Sequence, residues 1–378
     1  MGVLSADGGV LSGGAAAYRV FLAGPDGVDG GVLGRALAAA FGVPVRDVEI
    51  AGGDGEPGRP GRPVRCGCRR VRGDVSWVLD VCAGPEAVDL PGRRALGRAL
   101  AAALGRPVLY EGAARPGAYW AVTPAGRTGR VRLHGPGEAV GREGFVVAAA
   151  ELPIPQLPHV PVEFDYAAIG GMAGGRPFAR MVRTVVTALR DCCPEAEIAL
   201  RGSLAGEGAD RYSDIDLRWT VPAERFAYCV ARAGDCLDAA LPVLSARSDP
   251  DAWRAPGRRL LFFFFRGGSL FWRLDLEVRA APGPVGAAPA GGGWPVPVSA
   301  LANALGAVKA VKRERSAEEI RGLLDRAFAR LGSADRATGR WAEDVVCLVD
   351  TAERADPRAL AVRALAARIR YLVAVELR

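Results

Sequence analysis

The sequence predicts an α+β protein assembled from consecutive parts, and three observations carry that expectation. Within residues 1–150, a strand, a Gly-Pro turn, an Ala-rich helix closed by glycine and a second strand occur twice in succession. In the centre, an amphipathic helix leads to a short strand, a Gly-Ser step and a strand that alternates acidic with apolar residues. From Val298 onward the periodicity is helical.

The first copy of the repeat spans Tyr18 to Ile50 and holds Phe21-Leu22-Ala23-Gly24-Pro25, then Gly34 to Gly42. The second spans Val78 to Glu111 and holds Val81-Cys82-Ala83-Gly84-Pro85, then Gly97 to Gly105. Glycine just past an Ala-rich run is a helix stop, since it enters the left-handed conformation without a Cβ penalty. Two such βαβ units side by side predict a ferredoxin-like layout, an antiparallel sheet with both helices on one face. Between the copies, Gly52 to Arg72 is rich in Gly, Pro and Arg and reads as a solvated hairpin loop. An RNA or acidic-substrate contact is its alternative, with no interleaved aromatics for base stacking. Tyr119–Val122 and Arg130–Leu133 then predict a hairpin around Pro124-Ala125-Gly126.

Pro153, Pro155, Pro158 and Pro161 make residues 151–165 an extended connector between the repeat domain and a core at 166–296. Phe178, Met181, Val182, Val185, Val186 and Leu189 share one helical face, and Pro194 stops that helix before the strand Glu197–Leu200. A further helix is expected over Glu224–Leu241, then a hairpin whose arms are Leu260–Phe265 and Leu270–Val278. The continuous apolar first arm suits a strand covered on both faces. Residues 297–378 form a helical region, with helices near 298–314, 316–331, 338–354 and 358–376. Ser316 with Glu319 makes a capping box, and Pro357 suits the first turn of the last helix.

Composition narrows the chemistry. The longest apolar run, Leu260–Phe265, is far short of a membrane span, and no basic segment with an apolar core follows the N-terminus, so a cytoplasmic protein without membrane contact is expected. Cys66/Cys68 and Cys192/Cys193 are the only close pairs among eight cysteines, and neither has a second pair at zinc spacing. With His134 and His159 as the only histidines, chemistry must rest on carboxylates, hydroxyls and cations. The net charge of +7 favours anionic ligands. Of 49 basic residues only Lys309 and Lys312 are lysine.

Along the strand beginning at Asp214, a side-chain period of two puts Asp214 and Asp216 on one face and Ile215 and Leu217 on the other. Adjacent like charges repel, and a divalent cation would remove the conflict. Mg²⁺ suits one or two carboxylates together with substrate phosphates. On the later strand, Asp275 and Glu277 again share a face opposite Leu274, Leu276 and Val278.

Gly202-Ser203, a spacer, and Ser213-Asp214-Ile215-Asp216-Leu217 resemble the motif of the nucleotidyltransferase superfamily related to DNA polymerase β, including its minimal, aminoglycoside-type members. The resemblance covers residues 175 to 330; many members carry arginine just after Gly-Ser, where this chain has Leu204-Ala205. It implies a central mixed sheet with flanking helices and Asp275 as the third carboxylate. It further implies transfer of a nucleoside monophosphate, AMP from ATP first of all, to a hydroxyl of a small-molecule acceptor, with pyrophosphate released. Two Mg²⁺ ions are implied, one on Asp214 and Asp216, the other on Asp216 and Asp275. Gly202, Ser203 and Ser213 would lie at the nucleotide, and Glu277 would be a general base if one metal served. A protein or RNA acceptor, or a non-catalytic nucleotide-binding module, are the alternatives. In the helix from Ser299, Leu301, Leu305 and Val308 form an apolar stripe with Lys312 in line and Lys309 at its border, so Lys312, helped by Lys309, is expected to meet the triphosphate.

Overall fold

The computed structural model describes residues 16–24, 27–52, 62–112, 118–138, 144–206, 208–249, 255–285 and 295–377. The chain is α+β and divides into two compact units, Met1–Asp165 and Tyr166–Arg378. Among the described residues no helix is long and apolar enough to cross a membrane.

The first unit follows from the repeat. Strand β1 (Ala16–Ala23), helix α1 (Gly30–Phe41) and β2 (Val48–Gly52) form one copy; β4 (Val75–Ala83), α2 (Arg93–Leu104) and β5 (Val108–Glu111) form the other. Both helices end where glycine turns left-handed, Gly42 and Gly105, each at φ 65°. With β3 (Val64–Arg70), β6 (Tyr119–Val122), β7 (Thr128–His134) and β8 (Val146–Ala150) the sheet order is β2-β3-β4-β1-β5-β6-β7-β8. Every neighbouring pair is antiparallel except β2 with β3.

Strand β3 corrects the expectation of a solvated loop over Gly52–Arg72. Val64, Cys66 and Cys68 alternate into the core beneath α1 and α2 while Arg65, Gly67 and Arg69 point away. Arg59, in the same stretch, lies outside the described residues, as does Pro25 of the first Gly-Pro turn.

The Pro-rich stretch is likewise no free connector. Leu152, Ile154, Leu157 and Val160 are buried with Phe21, Val78, Leu109 and Val131, covering the sheet face opposite the helices. Prolines favour the extended backbone that lets these side chains reach the sheet. Buried Glu151 is anchored to Arg130 at 2.9 Å.

In the second unit α3 (Tyr166–Ala173) and α4 (Gly175–Cys192) precede β9 (Glu197–Leu200), β10 (Ile215–Val221), α5 (Phe226–Ala240), β11 (Val243–Ser248), β12 (Arg258–Phe265) and β13 (Leu274–Ala280). The mixed sheet runs β11-β12-β13-β10-β9, with β10 and β13 parallel and the other pairs antiparallel. Strand β11 was not legible in the sequence. Ile215, Leu217, Trp219, Leu274, Leu276 and Val278 fill one face and are fully buried. At about 25 cal/mol per Å² such burial supplies most of what holds the sheet in place.

The C-terminal helices are α6 (Val296–Lys312), α7 (Ala317–Arg330), α8 (Trp341–Ala355) and α9 (Leu360–Glu376). The amide of Glu319 donates to Ser316 Oγ as the capping box requires. Pro357 precedes α9 rather than opening it. Tyr212, Phe264, Leu270 and Phe271 enter the core of these helices, so the helical region and the sheet share one core. That is why Leu270 and Phe271, expected in the second hairpin arm, lie before β13.

Candidate active site

The Gly-Ser step and the acidic strand meet as their spacing requires. β9 ends at Leu200, and Gly202–Ala205 makes one 3₁₀ turn. The Arg201 amide donates to the carbonyl of Asp216 at 2.8 Å, holding the turn against β10. Gly202 has φ 54°, and a Cβ there would sit 2.9 Å from Asp216 Cγ. Only glycine permits both the conformation and the approach. Ser203 follows on this turn, partly exposed.

Asp216 lies directly across from Asp275 on the parallel strand β13. Asp214, immediately before β10, completes the acidic group. Burial pushes the Asp216 carboxyl up to about 6, and the charges of Asp275 and Asp214 push it in the same direction. Burial also raises Asp275, against the pull of Arg273.

Two cations answer this charge. Arg273 donates from Nε and Nη2 to the two oxygens of Asp275 at 2.5 and 2.6 Å and lies 3.7 Å from Asp214. Burial opposes the Arg273 charge, yet Asp275 and Asp214 outweigh it and raise its proton affinity. Lys309 donates to Asp214 Oδ1 at 2.5 Å and to the Phe271 carbonyl at 2.8 Å. Burial lowers its proton affinity while Asp214 restrains the shift.

Three expected site residues are placed elsewhere. Lys312 points away from the acids and pairs with Glu376 at 3.1 Å. Helix α6 is buried on most of its circumference, Ala300, Ala304 and Ala307 included, so a stripe of three larger residues does not define its inward direction. Glu277 shares the Asp275 face but is 1% exposed and enclosed by Arg258 at 2.7 Å, Arg218 at 2.9 Å and Arg201 at 3.3 Å. Burial opposes its charge, but the bond to Arg218 and the other arginines prevail and hold it below the usual range. Such a carboxylate is a poor base. Ser213 is buried and donates to Asp210 Oδ1 while accepting from the Asp210 amide. It shapes the loop before Asp214 instead of facing a ligand.

Residues not singled out from the sequence complete the arrangement. Arg313 grips Asp210 at 2.6 and 2.8 Å, fastening that loop to the end of α6. Arg273 was within reach of the period-two argument, two positions before Asp275. Asp210 and Arg313 carry no local signal of their pairing.

Among the described residues, no group of three or more carboxylate, imidazole or thiol side chains is set to hold a metal ion. No protein-family model matches the chain, and no curated protein matches it.

Proposed function

We propose that this chain is a divalent-metal-dependent nucleotidyltransferase that moves a nucleoside monophosphate, AMP from ATP in the first instance, to a hydroxyl of a small-molecule acceptor. The observation that carries this reading is the close approach of the Gly202 backbone to Asp216, itself aligned with Asp275 across two parallel strands. A phosphate chain needs hard oxygen donors beside backbone it can reach, and the exposed Gly202 is packed against such a donor. On this reading the first unit is a ferredoxin-like domain, and residues 166–296 are a polymerase-β-like catalytic core extended by the helical region 297–378.

As they stand, with Lys309 bonded to Asp214 and Arg273 to Asp275, the three carboxylates are not set to hold a metal; their hard oxygens are nonetheless the donor type Mg²⁺ takes, and Asp216 is lifted to about 6 by burial and by its acidic neighbours. On this reading Asp214, Asp216 and Asp275 would hold the metal once Lys309 and Arg273 give way. Bound Mg²⁺ would neutralise the triphosphate and acidify the acceptor hydroxyl. Arg273 holds Asp275 in a fixed orientation through two bonds. Gly202 and Ser203 would receive phosphate oxygens, and Lys309 takes the role expected of Lys312. Glu277 and Ser213 act as supports for the strand and the loop.

One observation favours a second reading, a non-catalytic nucleotide-binding module: Lys309 and Arg273 already neutralise two of the three carboxylates. Calorimetric titration with ATP, with and without Mg²⁺, separates them, alongside pyrophosphate release in a small-metabolite extract. Mg²⁺-dependent binding with pyrophosphate release, both lost in Asp216→Asn, supports the enzyme. Binding indifferent to Mg²⁺ and without pyrophosphate supports the module. No binding of any NTP would overturn both.

A further inference from the structure

Four of the eight cysteines collect where the end of α4 meets α5. Cys192 is the last residue of α4 and Cys193 caps it, while Cys229 and Cys236 stand seven residues apart on α5, two turns along one face. Adjacent residues of α4 thus meet different cysteines of α5. Cys236 Sγ lies 2.7 Å from Cys192 Sγ. Cys193 and Cys229 form a second, hydrogen-bonded pair, and both are fully buried. Cys192 and Cys236 are partly exposed. One thiol pair is sealed inside the unit, and the other is within reach of a small reagent in solvent.

Cys66 and Cys68 make a useful contrast. They lie 3.9 Å apart, two positions along one strand, and both are buried. A bond between them would join only close neighbours in the chain. Cys192 and Cys236 are 44 residues apart in sequence and on different helices. Sulfur atoms in a disulfide are about 2.05 Å apart, so these two need approach by only about 0.65 Å.

We infer that Cys192 and Cys236 are an oxidation site, at which a peroxide forms a disulfide that staples the end of α4 to α5. Between the two sulfurs the chain runs through β9, Gly202, Ser203, Asp214, Asp216 and β10. Oxidation therefore closes a covalent ring around one half of the acidic group, with Asp275 and Lys309 outside it. The cross-link stands whether or not the acidic group carries nucleotidyl transfer.

Burial, then the hydrogen bond to Cys236 and the charge of its sulfur, push the Cys192 thiol up to about 12. Cys192 keeps its proton, and attack on the oxidant falls to Cys236. The Cys236 thiolate displaces hydroxide from hydrogen peroxide as the O–O bond breaks, and the hydroxide takes up the proton that Cys236 released. Cys236 is then a sulfenic acid. The Cys192 sulfur attacks it, the S–S bond forms as the S–O bond breaks, and the hydroxyl leaves as water with the Cys192 proton. Two thiols and one peroxide become a disulfide and two waters, the sulfurs oxidised and the peroxide oxygens reduced. A dithiol reductant reverses the link by exchange.

The test exposes the full chain to hydrogen peroxide, caps the remaining thiols with an alkylating agent and reads cysteine pairs by peptide mass spectrometry. The expected product is an intrachain Cys192–Cys236 cross-link, lighter by two hydrogens and returned to two free thiols by dithiothreitol. It should survive in Cys193→Ala and vanish in Cys236→Ser, a change at a partly exposed position. Fragment ions that separate Cys192 from Cys193 place the bond even where the Cys193→Ala chain does not fold. Amides of β9 and β10 should exchange hydrogen at least about tenfold more slowly in the oxidised chain, since a disulfide removes open conformations of the loop it closes. In Cys236→Ser the same oxidant should leave that exchange unchanged. Recovery of both thiols after peroxide, Cys236 stopped at a sulfinic acid, or a bond to Cys193, Cys229 or Cys347 in place of this one overturns the site. Equal exchange in the oxidised and reduced chains overturns the stapling of the loop.

Discussion

The two sheets differ in what stands on their second face. In the first unit, one face meets α1 and α2 and the other is closed by Leu152, Ile154, Leu157 and Val160, so apolar side chains fill both sides. In the second unit, Ile215, Leu217, Leu274 and Leu276 fill one face, while the opposite face carries Asp216, Asp275, Glu277, Arg218 and Arg247. Removing ionised groups from water costs several kcal/mol each unless partners are supplied. On the proposed function, the first sheet is a packed scaffold and the second bears the site.

The largest expected effect is on the second sheet. Asp216→Asn should lower nucleotidyl transfer by at least about a thousandfold, equivalent to about 4 kcal/mol of lost transition-state stabilisation, in a chain with unchanged circular dichroism. More than a tenth of the original turnover in the folded variant would remove Asp216 from the mechanism.

The mirror experiment on the first sheet replaces Leu157, which is 5% exposed, by alanine. Loss of a buried leucine should cost about 2–4 kcal/mol in denaturant unfolding and leave Mg-ATP affinity of the second unit unaltered. A cost under about 0.5 kcal/mol would mean that the Pro-rich segment does not seal that face.

Acidic groups on the second sheet should show opposite pH signatures. Asp216 titrates at about 6 in the fold and at an ordinary 3.8 otherwise, so the unfolded chain ionises first as pH rises. Stability should therefore fall between about pH 4 and pH 6, by up to about 3 kcal/mol, when metal is chelated. Glu277 is held below its ordinary 4.5, so its contribution is present above that value and lost as pH falls through the folded one. Thermal melts of Asp216→Asn and Glu277→Gln against the unaltered chain, from pH 3 to pH 8 in chelator, separate the two. Absence of the downward slope in the unaltered chain, or its persistence in Asp216→Asn, would contradict the assignment.

The smallest contrast is between the lysines. Lys309→Met should weaken Mg-ATP by about 1.5–3 kcal/mol, with a smaller loss for AMP. Lys312→Ala, removing a partly exposed pair with Glu376, should change binding and stability by less than about 0.5 kcal/mol. Equal losses for the two variants in calorimetric titration would undo the distinction drawn between them.

Sequence alone determined what depends on neighbours in the chain. Helix α4 buries the face read from its 3.6-residue period, Gly42 and Gly105 cap their helices, and the two-residue period put Asp214 with Asp216 and Asp275 with Glu277. The Gly-Ser step and the acidic strand read as one motif, whereas the packing of Gly202 against Asp216 is a tertiary contact. Tertiary structure decided what depends on the number and charge of distant partners. Four arginines, Arg201, Arg218, Arg258 and Arg279, make Glu277 a support, while its neighbour Asp275 lies among other acids. Lys309 turns inward because α6 is enclosed on several sides, where an alanine-rich pattern leaves the direction degenerate. β3 is a strand because the sheet offered a place for Val64, Cys66 and Cys68, although glycine and arginine weaken its local preference. Arg247 shares the face of Asp275 only through β11 and β12, since strand order is settled by which apolar faces can be buried together and leaves no mark in the local sequence.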